Sequence, residues 1–137
     1  MNHEETIKRI SEFHGHLGPY VVIGYRMGLV ANRLLGNDPF GKAAMVLTGD
    51  KPPQSCLIDG IQLSSGCTLG KGAIGIINQG TAAAIFISKT NKATARISLK
   101  QEIIDRIAAT SQSEMEALAT ELYVTSEEVL FEIGHKE

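Results

Sequence analysis

The amino-acid sequence predicts a single α+β domain over residues 1–137, with a sheet of about four strands packed against helices. Three observations predict this fold: two helix-periodic segments at the start of the chain, short apolar runs of strand length in the middle, and a helical C-terminal third. A block of strands followed by a block of helices is typical of α+β proteins rather than of a regular parallel sheet. The length is also that of one domain with one sizeable core.

The first predicted helix runs from Glu4 to Phe13. Ile7, Ile10 and Phe13 lie three residues apart, so they form one apolar stripe that we expect to pack inward. The segment His14–Pro19 then ends the helix, because its two glycines and its proline do not continue a helix cheaply.

The second predicted helix covers Tyr20–Leu35 and is apolar nearly all round. Gly24 and Gly28 are four residues apart and share a face, which favours a close approach by a neighbouring helix or a second copy of the chain. The alternative is that the helix simply tolerates both glycines. Gly36–Pro39 ends the helix with breaker residues.

Short apolar runs indicate four strands, bounded by loops rich in Gly, Pro, Asn and Lys. The runs are Ala43–Thr48, Ala73–Ile77, Ala82–Ser88 and Ala93–Leu99. The turns between the last three favour two antiparallel hairpins. The last run alternates apolar and polar residues, as a strand with one solvated face does.

Four further helices are predicted from capping chemistry. Ser55 can cap a helix from Cys56 to about Ser64, with Ile58, Ile61 and Leu57 turned inward. In the C-terminal third, three short helices are predicted from capping-box spacings at Ser98 and Gln101, Ser111 and Glu114, and Thr125 and Glu128.

Composition excludes several classes of protein. With 43% hydrophobic and 20% charged residues, the chain is an ordinary globular protein. A net charge of -2 gives no general attraction to nucleic acid or anionic membranes. The N-terminal residues lack the pattern of a signal peptide, so we expect a cytoplasmic protein whose two cysteines are thiols.

The pair His14 and His16 is the first candidate for chemistry. Two imidazoles separated by one glycine at a helix end can face one point, where they can bind a metal or act as a general base. Two ordinary polar histidines near a turn would fit the same pattern.

Cys56 and Cys67 are the second candidate. A cysteine in the first turn of a helix lies at the positive end of the dipole, which favours the thiolate, so Cys56 is the better candidate for a reactive sulfur. Either cysteine can instead be a small buried residue.

The flanking polar residues add possible ligand contacts. Lys71, between two glycines, can place an ammonium beside a thiolate or an anionic ligand, although it also fits an ordinary turn lysine. Asp59 and Gln62 share a helix face near Cys56 and are predicted, with Tyr20, to contact a ligand. A hydrogen-bonded pair at a packing surface is the alternative for Asp59 and Gln62.

Several well-known sites are excluded by spacing. The sequence has no Cys-x-x-Cys and no His-Glu-x-x-His, so any metal site must be assembled by the fold. The segment Gly66–Gly72 is one residue too short for a phosphate-binding P-loop and has Gly72 where Ser or Thr is required, so we expect no nucleotide hydrolysis.

Four motifs together resemble the FmdE family, which is named for formylmethanofuran dehydrogenase. They are Phe13–Pro19, Gly24–Gly28, Cys56 with Asp59–Gln62, and Gly66–Gly72, and the resemblance covers about Ile7 to Leu99. It implies an α+β core with a mixed sheet, likened to the catalytic-domain fold of glyceraldehyde-phosphate dehydrogenase and commonly dimeric. It also implies association with the molybdenum or tungsten enzymes of one-carbon metabolism in methane-forming and related microbes.

Two departures from the family bear on the site. Many members have a cysteine where this chain has Gly18, and longer members append a cysteine-rich zinc ribbon, whereas the C-terminal segment here has no cysteine. We expect no nucleotide or pterin cofactor and no iron–sulfur cluster held by four cysteines.

Two hypotheses for function follow. In the first, His14, His16, Cys56 and Cys67 form a metal or thiol site, with zinc the expected ion and Cys56, His16 and Lys71 as catalytic residues. In the second, the protein is a non-catalytic accessory or assembly module that binds a small ligand or a partner protein. A homodimer, associated with formylmethanofuran dehydrogenase or a related enzyme, is expected in either case.

Overall fold

A computed structural model describes the whole chain, Met1–Glu137, as helices packed against a five-stranded mixed sheet. The predicted α+β class is confirmed. The helices are α1 His3–His14, α2 Pro19–Leu35, α3 Leu57–Ser65, α4 Gln101–Ala109, α5 Met115–Val124 and α6 Glu127–Leu130. The strands are β1 Lys42–Val46, β2 Ile74–Ile76, β3 Ala83–Ser88, β4 Thr94–Leu99 and β5 Phe131–Lys136.

The sheet has the strand order β2-β1-β3-β4-β5, in which only β1 and β2 are parallel. The predicted hairpin between β3 and β4 is confirmed. The predicted hairpin between β2 and β3 is wrong, because β1 lies between them: Ala44 pairs with Phe86 on one side and with Ile74 on the other. The strand β5 was not predicted, so the sheet has five strands rather than about four.

One face of the sheet packs on α2 and the other is open. On β4, Ala95, Ile97 and Leu99 are buried while Arg96 is exposed, which confirms the predicted alternation. The inward residues of the neighbouring strands join this layer, with Phe86 completely buried. The core therefore lies between the sheet and α2.

Close contact between α2 and α3 depends on glycine, as the spacing of Gly24 and Gly28 predicts. A Cβ on Gly24 would lie 2.1 Å from the carbonyl oxygen of Leu57, and one on Gly28 would lie 1.8 Å from Ser64 Oγ. On α3, a Cβ on Gly60 would lie 2.1 Å from the carbonyl oxygen of Val21. The close neighbour is thus α3 of the same chain.

The predicted helix starts are wrong in detail. A 3₁₀ turn at Gln54–Cys56 precedes α3, and Cys56 itself is the N-cap, so Ser55 does not cap the helix. The N-caps of α4, α5 and α6 are Lys100, Glu114 and Ser126, none with a capping side-chain hydrogen bond. The capping box at Ser98 fails because this residue lies inside β4.

The stripe predicted on α1 is correct at Ile10, which is completely buried, and wrong at Phe13, which is 52% exposed. The reason is that the next residue, His14, is the one turned toward α3, where it contacts Asp59. None of the helices combines the length and the apolar character needed to cross a membrane.

Candidate functional site

A cavity of about 300 Å³ lies where the junction of α1 and α2 meets the 3₁₀ turn before α3 and the C-terminal helices. Its walls are His14 and residues 16–21, then Pro53 and Cys56, then Ile107, Gln112, Met115 and Glu116. This size is at the small end of the range for ligand sites in proteins. The walls combine apolar side chains with a few polar groups, as such sites do.

The α1–α2 junction places two histidines at the cavity wall. Gly15 ends α1 with a φ of +98°, a left-handed conformation that favours glycine, and its N–H donates to the carbonyl of Ser11 at 2.8 Å. The His14 and His16 rings then lie with their centroids 4.7 Å apart and tilted by 44°. The two imidazole rings are therefore neighbours at the cavity wall.

The orientation of His14 is set by Asp59. The Nδ1 atom of His14 lies 2.6 Å from Asp59 Oδ2, which joins the end of α1 to the first turn of α3. When the carboxylate is ionised, Nδ1–H is the donor, so a neutral His14 carries its lone pair on Nε2. That Nε2 atom is buried and has no hydrogen-bond partner.

Cys56 lies in the cavity wall but in a different electrostatic setting from the one predicted. Burial raises the pKa of the Cys56 thiol, and the nearby Asp59 carboxylate raises it further, while a hydrogen bond from the backbone lowers it less. The expectation of a thiolate favoured by the helix dipole is therefore wrong. The neutral thiol is the form that this environment favours.

Tyr20 also lines the cavity, as predicted for a ligand-contacting residue. Burial raises the pKa of its phenol, and a hydrogen bond with the Gln54 side chain opposes that shift. The hydroxyl therefore stays protonated and can donate to a ligand.

Besides Asp59, which contacts His14, three of the predicted site residues do not line the cavity. Cys67 is completely buried, and its thiol donates to the carbonyl of Lys42 at 3.6 Å. Lys71 donates to the carbonyl of Pro39 at 3.0 Å, and Gln62 Oε1 accepts from the backbone N–H of Leu69 at 2.9 Å. These three side chains support the loop Gly66–Gly72 instead.

Cys67 is thus separated from the other three predicted metal ligands. His14, His16 and Cys56 line one cavity, whereas Cys67 belongs to the hydrophobic core. No group of three or more His, Cys, Asp or Glu side chains in the structure is arranged to hold a metal ion.

The C-terminal wall of the cavity was missed by sequence reasoning. Ile107, Met115 and Glu116 come from α4 and α5, about ninety residues after His14 in the chain. They carry no motif, and the apolar ones resemble ordinary core residues of amphipathic helices. Only the fold brings them to the junction of α1 and α2.

Comparison with known proteins places the chain beside one family. The family described as "FmdE, Molybdenum formylmethanofuran dehydrogenase operon" matches residues 13–132. A "Probable S-adenosyl-L-methionine-binding protein" of Archaeoglobus fulgidus is 30% identical over 96 residues, which are 69% of this chain and 26% of that relative. The chain therefore spans about a quarter of the length of this curated relative.

A solved structure shares the fold. The crystal structure of a tungsten formylmethanofuran dehydrogenase FmdE-like protein from Syntrophus aciditrophicus matches with a TM-score of 0.69 at 24% identity. The match covers 100% of this chain and 73% of that one.

Proposed function

Because this chain belongs to the FmdE family, we propose that it is an accessory protein associated with molybdenum or tungsten formylmethanofuran dehydrogenase and one-carbon metabolism, which binds a small ligand at His14. One observation carries the proposal of a ligand site: His14 lines the cavity, and its buried Nε2 atom has no hydrogen-bond partner. Buried polar atoms are nearly always hydrogen-bonded in folded proteins. An unpaired imidazole nitrogen at a cavity is therefore a natural contact point for a ligand.

The surrounding residues define what such a ligand can be. His14 Nε2 offers a lone pair to a hydrogen-bond donor or a metal ion, because Asp59 engages the other ring nitrogen. The Tyr20 hydroxyl and the Cys56 thiol can donate, and Glu116 offers a carboxylate. Beside the apolar walls, each of these contacts is stronger than it would be in water.

A transition-metal ion is a second candidate for the occupant, with zinc as the expected ion. His14, His16 and Cys56 supply nitrogen and sulfur ligands of the kind that zinc accepts. The contact between His14 and Asp59 favours this candidate, because a metal-bound histidine typically donates its other N–H to a carboxylate. Binding would displace the proton from Cys56 despite its raised pKa.

The experiment is a calorimetric titration of metal-free protein, purified without a histidine tag. Zinc chloride is the metal probe, and S-adenosylmethionine is the organic probe, because the Archaeoglobus relative is described as binding it. We expect at least one probe to bind with one site per chain. The His14→Ala variant should lose that binding, whereas His135→Ala, which removes an exposed histidine on β5, should keep it.

Two results would contradict the ligand site. One is that neither probe binds, and the other is that His14→Ala binds as tightly as the unaltered chain. Thermal unfolding of both variants shows whether they are folded. A loss of zinc binding in Cys56→Ser that leaves S-adenosylmethionine binding intact would favour the metal as occupant.

Association with the dehydrogenase is the second part of the proposal, together with a homodimer in the cytoplasm. Family membership supports the association. Affinity purification of the tagged chain from its native host should recover components of the dehydrogenase, identified by mass spectrometry. Recovery of the chain alone, under conditions that keep the dehydrogenase intact, would contradict this part.

A further inference from the structure

Two more cavities adjoin the His14 cavity. The second, of about 500 Å³, shares Tyr20, Pro53, Ile107 and Met115 with the first. The third, of about 390 Å³, shares Gln54 and Ile104 with the second. The three cavities therefore follow one another across the surface.

Residues along one side of α4 line the three cavities in turn. Ile107 lines the first and second cavities, Ile104 the second and third, and Gln101 the third. Residues three apart lie on the same face of a helix, so this face of α4 forms a continuous wall. From Gln101 to Ile107 the helix rises about 9 Å, which is the length of this wall along the helix axis.

Positively charged side chains line the second and third cavities but not the first. The second cavity is lined by Lys51 and the third by Arg96, and neither has an aspartate or glutamate in its wall. Between these groups and His14 the wall is mainly apolar, with Pro52, Ile104 and Ile107. The end of the path farthest from His14 is therefore cationic.

Arg96 is a free guanidinium. It takes part in no salt bridge, whereas Arg33 and Arg106 pair with Glu127 and Glu121. Glu132 lies opposite Ser98 on the neighbouring strand but forms no salt bridge with Arg96.

Neutral polar groups surround this guanidinium. Ser98, Thr81, Gln54 and Gln101 line the same cavity, and α4 begins at Gln101 without a side-chain cap. A guanidinium with its parallel N–H donors, next to hydroxyl and amide groups, is well suited to bind a carboxylate or a phosphate. The third cavity thus offers one cation and several neutral donors to an anion.

We propose that the ligand bound at His14 is elongated and anionic at its far end, that it lies along α4, and that its carboxylate or phosphate group binds Arg96. This inference rests on the proposed ligand site at His14. It adds the shape and the charge of the ligand. Lys51, midway, supplies a second positive charge along the path.

The anionic subsite is tested by titrating the ¹⁵N-labelled chain with inorganic phosphate and, separately, with acetate. Saturable shifts of the Arg96, Ser98 and Gln101 amide signals are expected for at least one anion, and the tighter anion identifies the chemical group. The shifts should persist in His14→Ala and in Arg9→Gln, a control that removes an exposed arginine on α1. They should be lost in Arg96→Gln; equal shifts there, or none in the unaltered chain, overturn the subsite.

The length of the ligand is tested by calorimetry with γ-aminobutanoate, ε-aminohexanoate and ω-aminooctanoate. The amino group of each can donate to His14 Nε2 beside the Glu116 carboxylate, and the carboxylate of each longer member extends farther along α4 toward Arg96. We expect the longest member to bind at least about tenfold more tightly than the shortest, since it adds a charge-assisted hydrogen bond.

The two variants separate this inference from the proposed function. Arg96→Gln should abolish the gain with length, and Arg9→Gln should keep it. Affinity that does not change with length, or a gain that survives in Arg96→Gln, overturns the elongated ligand. If His14→Ala changes no affinity while Arg96 still binds the anion, the site at His14 fails and the anionic subsite stands.

Discussion

The contact between His14 and Asp59 determines which atom of the site is available. It joins residues 45 positions apart and leaves the buried Nε2 without a partner. The sequence predicts both residues as members of a site from their motifs. It does not predict that Asp59 would bind the imidazole rather than a ligand, because that depends on how α1 crosses α3.

The same carboxylate sets the reactivity of Cys56, which gives a prediction of pH dependence. The pKa of the thiol is raised by burial and, second, by Asp59, so alkylation by iodoacetamide should reach its half-maximal rate at a higher pH than in the unfolded chain. In Asp59→Asn the midpoint should fall but stay above the unfolded value, because burial remains.

Mass spectrometry of the alkylated peptide identifies Cys56 as the reacting residue, since Cys67 is buried. The control is Asp50→Asn, which removes an exposed carboxylate in the loop after β1 and should leave the midpoint unchanged. A midpoint at or below that of the unfolded chain would contradict this description of the site.

Gly18 lies in the cavity wall next to His16. A Cβ there would lie 3.0 Å from Cε1 of the exposed His16 ring, which can move by the few tenths of an ångström required. A cysteine would then place sulfur beside His16. We expect Gly18→Cys to bind zinc about tenfold or more tightly than the unaltered chain, because thiolate is a preferred zinc ligand.

Competition with a chromogenic chelator measures the zinc affinity. Gly18→Ala is the matched control, since it adds the Cβ without the sulfur, and it should not strengthen binding. An equal gain in both variants, or no gain with cysteine, would count against a metal position beside His16.

At the scale of elements, the packing of α2 on α3 holds the site in place. Gly60 contacts α2 closely, and α3 carries Asp59 and follows Cys56. In Gly60→Ala the new Cβ would meet backbone atoms of Val21 and Tyr25 at 2.1 and 2.4 Å, so the helices must separate. We expect a loss of about 2 kcal/mol in the free energy of unfolding.

Denaturant unfolding measures this effect. Gly70→Ala is the control, because a Cβ there meets nothing within 4 Å, and it should change stability by no more than about 0.5 kcal/mol. Equal stability of the two variants would show that the contact between α2 and α3 is not tight.

The elements that the sequence predicts are those with local signals. The helices α1 and α2 have periodic apolar residues and clear breakers between them, and β3 and β4 are joined by a short turn. Pairing of β2 with β1 was missed because it is decided by a partner about thirty residues earlier. The edge strand β5 was missed because only Phe131 of its six residues is buried, so it has no alternating pattern.

The site residues also divide into those with a local sequence signal and those that only the tertiary fold brings together. The histidine pair lies on a local motif and was found, whereas the wall from α4 and α5 depends on the tertiary fold. Cys67 is predicted in the site because the spacing of the two cysteines does not show toward which part of the fold each side chain points. In the structure its loop packs against the one after α2, where a Cβ on Gly66 would lie 2.6 Å from Pro39 Cβ.

At the scale of the whole molecule, the open face of the sheet supports the proposed homodimer. Met45 and Ile87 are 38% and 37% exposed on this face, and Ile85 lies between them in the cross-strand register. Arg96 pairs with Ile85 and also lines the third cavity, so the proposed anionic subsite borders this patch. A contiguous apolar patch on an uncovered sheet is typical of an interaction surface. A second copy of the chain is the proposed partner.

Light scattering coupled to size-exclusion chromatography tests the dimer. We expect the unaltered chain to be dimeric and Ile87→Glu to be monomeric but still folded, because the substitution places a charge in the patch. Val129→Glu, which alters a more exposed apolar residue on α6, should stay dimeric. A monomeric unaltered chain, or a dimeric Ile87→Glu variant, would contradict the interface.

The central claim is that His14 Nε2 receives the ligand, and the ¹⁵N spectrum of the histidine side chains tests it most directly. In the free protein with a neutral His14 imidazole, we expect the His14 signals to show the proton on Nδ1 and the lone pair on Nε2, because Asp59 accepts from Nδ1. Addition of a probe that calorimetry shows to bind should then shift the His14 Nε2 signal and leave His135 unchanged. A probe that binds with one site per chain and leaves the His14 Nε2 signal unmoved would contradict the claim.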